Sequence, residues 1–339
     1  RRADPRHSNA RPIGRRLALA VVPRPAVSLD RPLVAGAATS TRAVAEQRSA
    51  TVPTGHKRLV SLTGAEAGLG MTDARPAWGR SALIGSTGFV GGVLARHVAF
   101  DAAYASATID AIAGEVFDTV VCAGAPAAMW RANADPQGDL ANLERLVGSL
   151  ARARIGKLVL VSTIAVLDDP GAGLDETTKR FETTLAYGRN RRWLETALCD
   201  RFPTVLLRLP AVFGVGLKKN LLFDLRHPIP AFLTLERFEA LKGRLSAVEA
   251  QVFATVYVAD SATGMMTLDR TALAHHPGGA ALGEAVVAAG FAATGFTHPD
   301  SQFQFYALSD LAGDISAALD HGLDALHLAV EPWRAEDLC

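Results

Sequence analysis

The 339-residue sequence predicts an α/β fold, a doubly wound parallel sheet with a smaller C-terminal lobe, and three observations carry that prediction. An apolar run, Ala82-Leu83-Ile84, empties into three glycines spaced three apart, Gly85, Gly88 and Gly91. Apolar strand-like runs then alternate with segments of helical spacing. The composition, 49% hydrophobic and 20% charged, is that of a soluble globular protein rather than a disordered or fibrous one.

Each element has its own reason in the sequence. Gly92-Val93-Leu94-Ala95-Arg96-His97-Val98 has the amphipathic spacing of a helix. Ala102 to Ser106 suits a short second strand, and Phe117 to Ala123 is a buried strand with β-branched residues. The stretch from Gly91 to Phe117 is short for a full βα unit, so one unit is abbreviated there. Leu140, Leu143, Leu146, Val147 and Leu150 set helical spacing over 139–154. Lys157 to Ser162 reads as a strand, 184–200 as a helix carrying Trp193, and Pro203 to Leu209 as a further strand. Beyond Gly216 the pattern changes. Pro228 and Pro230 break the chain, helical material spans Leu235 to Gln251, and Val252 to Val258 is strand-like. Residues 271–300 are rich in Ala and Gly without a clear period, and then Phe303 to Leu308 reads as a strand and Ser309 to His321 as a helix. This region is expected to form the smaller lobe.

Bulk properties set further bounds. Cys122, Cys199 and Cys339 are too few and too scattered for a disulfide framework or a zinc site, which points to a reducing, cytoplasmic setting and no metal. No run of roughly 18 apolar residues escapes Pro or a charge, so no membrane span is expected. The most apolar candidate, 278–296, contains Glu284 and reads as a packed helix with its loops.

The net charge of +1 hides an asymmetry. Residues 1–70 carry twelve Lys/Arg against four Asp/Glu, leaving 23 basic and 30 acidic residues in 71–339. Such a leader reads as a non-native segment ahead of Met71, as an organellar transit peptide, or as a nucleic-acid-binding arm. Disorder is expected for it under each reading. The acidic body argues against nucleic acid as a partner. The expected organisation is therefore a leader over 1–70, a dinucleotide-binding domain over 71–215 and a substrate lobe over 216–339.

The glycine turn has a chemical reading. A strand turning sharply into a helix leaves unpaired N–H groups and a positive dipole end at one spot, which suits a pyrophosphate. Gly85 permits the tight turn, Gly88 lets backbone approach a ligand, and Gly91 lets the helix pack close to the strand.

Ser162 and Thr163 stand where the Lys157 strand ends, the edge at which open α/β sheets place their chemistry. Arg191 follows Tyr187 at i+4, on one helix face. A phenol works as an acid or base near neutrality when a fixed cation favours the phenolate. Taken singly, these residues have plainer readings: a packing Tyr, a Ser-Thr turn, and a solvated Arg pair with Arg192. Their order after the glycine turn favours the functional one.

Together, Gly85-x-x-Gly88-x-x-Gly91, Ser162-Thr163, Tyr187-Gly188-x-x-Arg191 and Leu207-Arg208-Leu209-Pro210-Ala211-Val212-Phe213-Gly214 resemble the extended short-chain dehydrogenase/reductases. More narrowly they are similar to the NAD-dependent epimerase/dehydratase family. Asp135-Pro136 with Asn142, and Tyr306 to Ala312, fit the same layout. The resemblance spans roughly residues 80–330 and matches poorly over 225–300.

The resemblance implies a Rossmann-type doubly wound parallel sheet holding NAD or NADP, and hydride transfer on a sugar-like substrate, free or nucleotide-linked. It implies catalytic roles for Thr163, Tyr187 and Arg191, with Ser162 as the neighbouring hydroxyl. Cofactor contacts would come from Gly85, Ser86, Thr87, Gly88, Phe89, Val90 and Gly91, and from Ala123, Tyr187, Arg191 and Pro210. Lys218, Lys219 and Asn220 are substrate-side candidates, and a homodimer is compatible with the family. A catalytically impaired NAD(P)-binding sensor or scaffold of the same fold is the alternative.

Three departures bear on the chemistry. Arg191 stands where the family has Lys, and a planar guanidinium does not replicate a compact ammonium. No Asp or Glu closes the second strand near Tyr104-Ala105-Ser106, and no Arg marks NADP there. Ala211 replaces the Asn of many nucleotide-sugar enzymes. The family continues into further helix, so truncation after Cys339 is expected.

Overall fold

A computed structural model describes residues 77–261 and 263–339; the Arg-rich leader lies outside the described residues. The first strand, β1 (Ser81–Ile84), is buried at every position. α1 (Phe89–His97) follows the glycine turn. β2 (Ala102–Tyr104) leads through a 3-10 turn at Ile109–Ile112 directly to β3 (Val116–Cys122), so the abbreviated unit carries no α-helix. α2 (Met129–Ala134) and α3 (Pro136–Leu150) precede β4 (Arg154–Thr163), and α4 (Ala186–Cys199) precedes β5 (Thr204–Leu209).

These strands run parallel in the order β2-β1-β3-β4-β5. The strand order reverses at β1, where β2 and β3 lie on opposite sides of it, and this makes the doubly wound Rossmann-type sheet. Alternation along the strands sends two sets of side chains to two cores. Leu83, Val121, Val159 and Leu207 meet Val93 and Leu94 of α1 on one face. Ile84, Val120, Leu158 and Leu160 meet Leu143 and Leu150 of α3 and Leu194 and Leu198 of α4 on the other. Each such fully buried leucine contributes about 1.5–3 kcal/mol.

The chain then builds β6 (Ala211–Phe213), α5 (Leu221–Arg226), β7 (Phe232–Thr234), α6 (Leu235–Lys242), α7 (Ala247–Val256), β8 (Tyr257–Asp260) and β9 (Met265–Leu268). It continues through α8 (Arg270–His275), α9 (Gly279–Ala288), β10 (Gln302–Ala307), α10 (Leu311–Asp320), β11 (Ala325–His327) and β12 (Pro332–Arg334). β7, β9 and β8 form a small antiparallel sheet. β10 pairs with β6 and β12. β11 returns to the main sheet as its sixth strand, parallel to β5.

Two expectations need correction here. The helical material over 235–251 is two helices, broken after Lys242 at Gly243 and restarted by a capping box of Ser246 and Glu249. The run from Val252, expected as a strand, is helical through Val256, and the strand begins only at Tyr257. The capping box starts the helix, and burial of Val252, Phe253 and Val256 against Phe238, Leu241, Leu282 and Val286 outweighs their β propensity. The Phe238 and Phe253 rings stack with centroids 4.7 Å apart.

Candidate cofactor and catalytic site

Gly85 has φ +85°, and a Cβ there would lie 2.5 Å from the carbonyl oxygen of Ala123. Only glycine fits, because the loops leaving β1 and β3 press against each other. The N–H groups of Gly85 and Ser86 donate to the Tyr104 carbonyl at 2.7 and 3.2 Å, and that of Gly88 donates to the Gly85 carbonyl at 2.9 Å. A Cβ on Gly91 would run into the Gly85 carbonyl oxygen. Gly91 thus lets α1 start close against the turn.

α1 is nine residues long, with Gly88 at its N-cap and no capping side chain. Its first-turn N–H groups therefore have no helical partner. Thr87 and Gly88 are exposed, while Phe89 and Val90 pack against the core and hold the helix in place. This is an anion cradle at the reversal point of the sheet, and it fits a dinucleotide pyrophosphate. The end of β2 brings neither a carboxylate nor an arginine to it.

Thr163 ends β4 on the same carboxyl edge, level with Leu209 of β5, so Pro210 follows at that edge too. The Thr163 hydroxyl accepts the Ala165 N–H at 3.1 Å. Tyr187 lies in the first turn of α4 and is 7% exposed; its N–H donates to Asn133 Oδ1 at 2.9 Å. The Arg191 guanidinium sits over its ring, 4.3 Å from the centroid. Burial pushes the Tyr187 phenol above its ordinary range, the Arg191 charge and hydrogen bonds from Arg191 and Thr163 pull it down, and Asp139 pushes it up. Thr163, Tyr187 and Arg191 are thus brought together.

Arg191 is itself buried, at 3% exposure. One terminal nitrogen donates to Asp139 Oδ2 and the other to the Pro126 carbonyl, while Nε is buried without a partner. Asp139, on α3, also accepts from Asn190 Nδ2 at 2.9 Å. Asp139, Asn190 and Asn133 are the residues that sequence reasoning missed. A carboxylate inside a helical run gives no local sign of a partner fifty residues away.

Ser162 turns to the opposite face of β4, where its hydroxyl donates to Glu195 Oε1 at 2.7 Å. Glu195 is fully buried and also receives Arg208 Nε at 2.9 Å and Nη2 at 2.7 Å, and Arg192 Nη1 at 2.9 Å. Ser162 is therefore part of a buried ion network under the sheet.

Among the substrate-side candidates, Lys218 is exposed and Lys219 Nζ donates to the Ala127 carbonyl at 3.3 Å. That contact brings the 218–220 loop over the segment leaving β3. Asn220, at φ 117°, caps α5 by accepting the Phe223 N–H at 3.1 Å, and its Nδ2 donates to the Val212 carbonyl at 3.0 Å. Its side chain is engaged in shaping the loop.

The fold and the glycine turn define a Rossmann-type α/β protein. No protein-family model matches the sequence, and no curated protein matches it. The chain is similar in structure to RMD from Pseudomonas aeruginosa complexed with NADPH, at 14% identity over 76% of this chain and 80% of that one, with a TM-score of 0.47. It is similar to MoeE5 in complex with UDP-glucose and NAD, at 12% identity over 77% and 79% of the two chains, TM-score 0.48. It is also similar to UDP-N-acetylglucosamine 4-epimerase from Methanobrevibacter ruminantium M1, at 13% identity over 77% and 79%, TM-score 0.44. Among the described residues, no helix is long and apolar enough to cross a membrane.

Proposed function

We propose that the chain is an NAD(P)-dependent oxidoreductase, of the epimerase/dehydratase or reductase kind, acting on a sugar-like substrate, free or nucleotide-linked. The observation that carries this reading is the uncapped N-terminus of α1, held by Gly85 and Gly91 at the reversal point of the sheet and facing the edge that carries Thr163 and Tyr187. The sugar-like substrate rests on the motif resemblance alone. Gly85 to Gly91, Ala123 and Pro210 would hold the dinucleotide, whose nicotinamide supplies or accepts hydride when bound. Thr163 orients a substrate oxygen, and Tyr187 gives that oxygen a proton or takes one from it.

The protonation of Tyr187 favours one direction. A phenol held above its ordinary range stays protonated through neutrality, so it is ready to donate a proton to the oxygen of a carbonyl under reduction. Mass spectrometry of small molecules retained by the purified chain, with calorimetry of NAD and NADP, tests the cofactor. Tyr187→Phe is expected to lower turnover about 10²–10⁴-fold while leaving cofactor affinity unchanged. Unchanged turnover in Tyr187→Phe, or a loss of cofactor binding in its place, would overturn the assignment.

A second reading has its own support. Both terminal nitrogens of Arg191 are engaged inside the protein, which suits a cofactor-binding protein without turnover. Under that reading the wild type binds cofactor but is inert across a panel of sugar nucleotides, and Arg191→Lys restores turnover.

A further inference from the structure

A buried polar clasp around Arg191 joins four parts of the chain. From α4, Arg191 donates through one terminal nitrogen to Asp139 Oδ2 on α3, and through the other to the Pro126 carbonyl on the segment leaving β3. Asn190, the residue before it, donates through Nδ2 to the same Asp139 oxygen at 2.9 Å and to the Pro136 carbonyl at 3.0 Å. The Tyr187 N–H closes the clasp on Asn133 Oδ1 of α2 at 2.9 Å. Asp139 and Arg191 are 8% and 3% exposed, so this is an ion pair held out of water rather than a surface contact.

The clasp decides where the guanidinium acts. Its two partners fix it against the Tyr187 ring, 4.3 Å from the centroid, and at 3% exposure it offers almost no surface to a bound dinucleotide. Few charges reach the phenol. Arg191 and Thr163 favour loss of its proton, and Asp139 opposes that loss. On the neighbouring helices, Arg131, Asp135, Glu144, Arg145 and Arg189 are exposed. Glu182, ahead of α4, accepts the N–H groups of Thr184 and Leu185 at 2.6 and 3.0 Å. Glu195, one turn beyond Arg191, is taken by Ser162, Arg208 and Arg192.

We infer that Asp139 is a positioning residue for the reaction proposed above, acting on Tyr187 through Arg191. It holds the guanidinium on the phenol ring instead of at the dinucleotide, and its own charge offsets part of the cation's pull on the phenol. Neutralising Asp139 leaves Arg191 without its counter-ion, which favours the phenolate. The inference rests on Tyr187 being the proton donor of the proposed reaction, but the coupling of the three side chains is measurable without turnover.

In the full chain, labelled at the tyrosine ring carbons, the Tyr187 NMR signal is identified by its loss in Tyr187→Phe. It is expected to titrate at lower pH in Asp139→Asn than in the wild type. Asparagine keeps an acceptor for Arg191 and removes only the charge. Tyr104, Tyr257 and Tyr306 are expected to titrate as before, which a general loosening of the fold would not allow. Affinity for NAD and NADP, read by calorimetry, is expected to stay unchanged in Asp139→Asn. In turnover, the rise of oxidation with pH begins at lower pH. Where Asp139→Asn does not fold, the wild type decides: its Arg191 guanidinium protons exchange slowly with water and stay slow when NAD or NADP is added. Tyr187 titrating alike in both chains, dinucleotide affinity lost in Asp139→Asn, or fast exchange at Arg191 overturns the inference. An inert chain whose Tyr187 still shifts in Asp139→Asn sinks the proposed reaction and leaves the coupling standing. A chain that turns over with an unmoved Tyr187 does the reverse.

Discussion

Tyr187 and Arg191 show how burial changes what a residue pair can do. On an exposed helix face, an arginine one turn away would favour the phenolate. Here Arg191 is held by Asp139, and burial of the phenol dominates. A group whose folded pKa is raised keeps its proton below that pKa and loses it as pH rises through it. Carbonyl reduction by Tyr187 is therefore expected to hold steady through neutral pH and to fall only in strong alkali. The reverse oxidation, which needs the phenolate, is expected to rise with pH over the same range. Initial rates in both directions across pH check this, and a reduction rate that falls between pH 6 and 8 contradicts it. Asp139 also matters to stability. Asp139→Ala leaves Arg191 buried beside its uncompensated charge and is expected to cost about 3–5 kcal/mol, read as a lower midpoint in urea unfolding.

At the scale of elements, glycine and capping chemistry decide where helices start. α1 can begin against the turn because neither Gly85 nor Gly91 carries a Cβ. α7 begins at the Ser246–Glu249 capping box, in which Ser246 Oγ accepts the Glu249 N–H at 3.4 Å and Glu249 Oε2 accepts the Ser246 N–H at 2.8 Å. Ser246→Ala is expected to lower stability by about 1 kcal/mol, and Ser246→Asp to retain most of it, as measured by thermal melting. The strands of the parallel sheet were readable because residues buried on both faces give unbroken apolar runs. The run at Val252 looked the same by composition, yet its apolar groups serve one helix face packed on α6 and α9. A short apolar run alone does not separate the two cases.

At the scale of the molecule, the C-terminal segment completes the sheet begun by the N-terminal half. Leu206 N–H donates to the Asp324 carbonyl at 2.9 Å and Leu328 N–H to the Arg208 carbonyl at 3.1 Å, so β11 covers the edge of β5. Leu311, Ile315 and Leu328 belong to the same core as α1. Ending the chain after Asp320 is expected to expose the β5 edge and give a less stable, aggregating protein, measured by light scattering and urea unfolding. Light scattering that matches the full chain, with an unchanged midpoint, contradicts this.

The sequence by itself determined the parallel sheet, the glycine turn and the helix carrying Tyr187, because local periodicity and glycine geometry act over a few residues. It also ordered Thr163, Tyr187 and Arg191 along the chain. Only the tertiary structure decided that Ser162 faces Glu195, that Asp139 holds Arg191, and that β11 returns to the main sheet. Strand alternation sends neighbouring hydroxyls to opposite faces, and long-range ion pairs leave no periodic trace. Those contacts exist only once the helices have packed on the sheet.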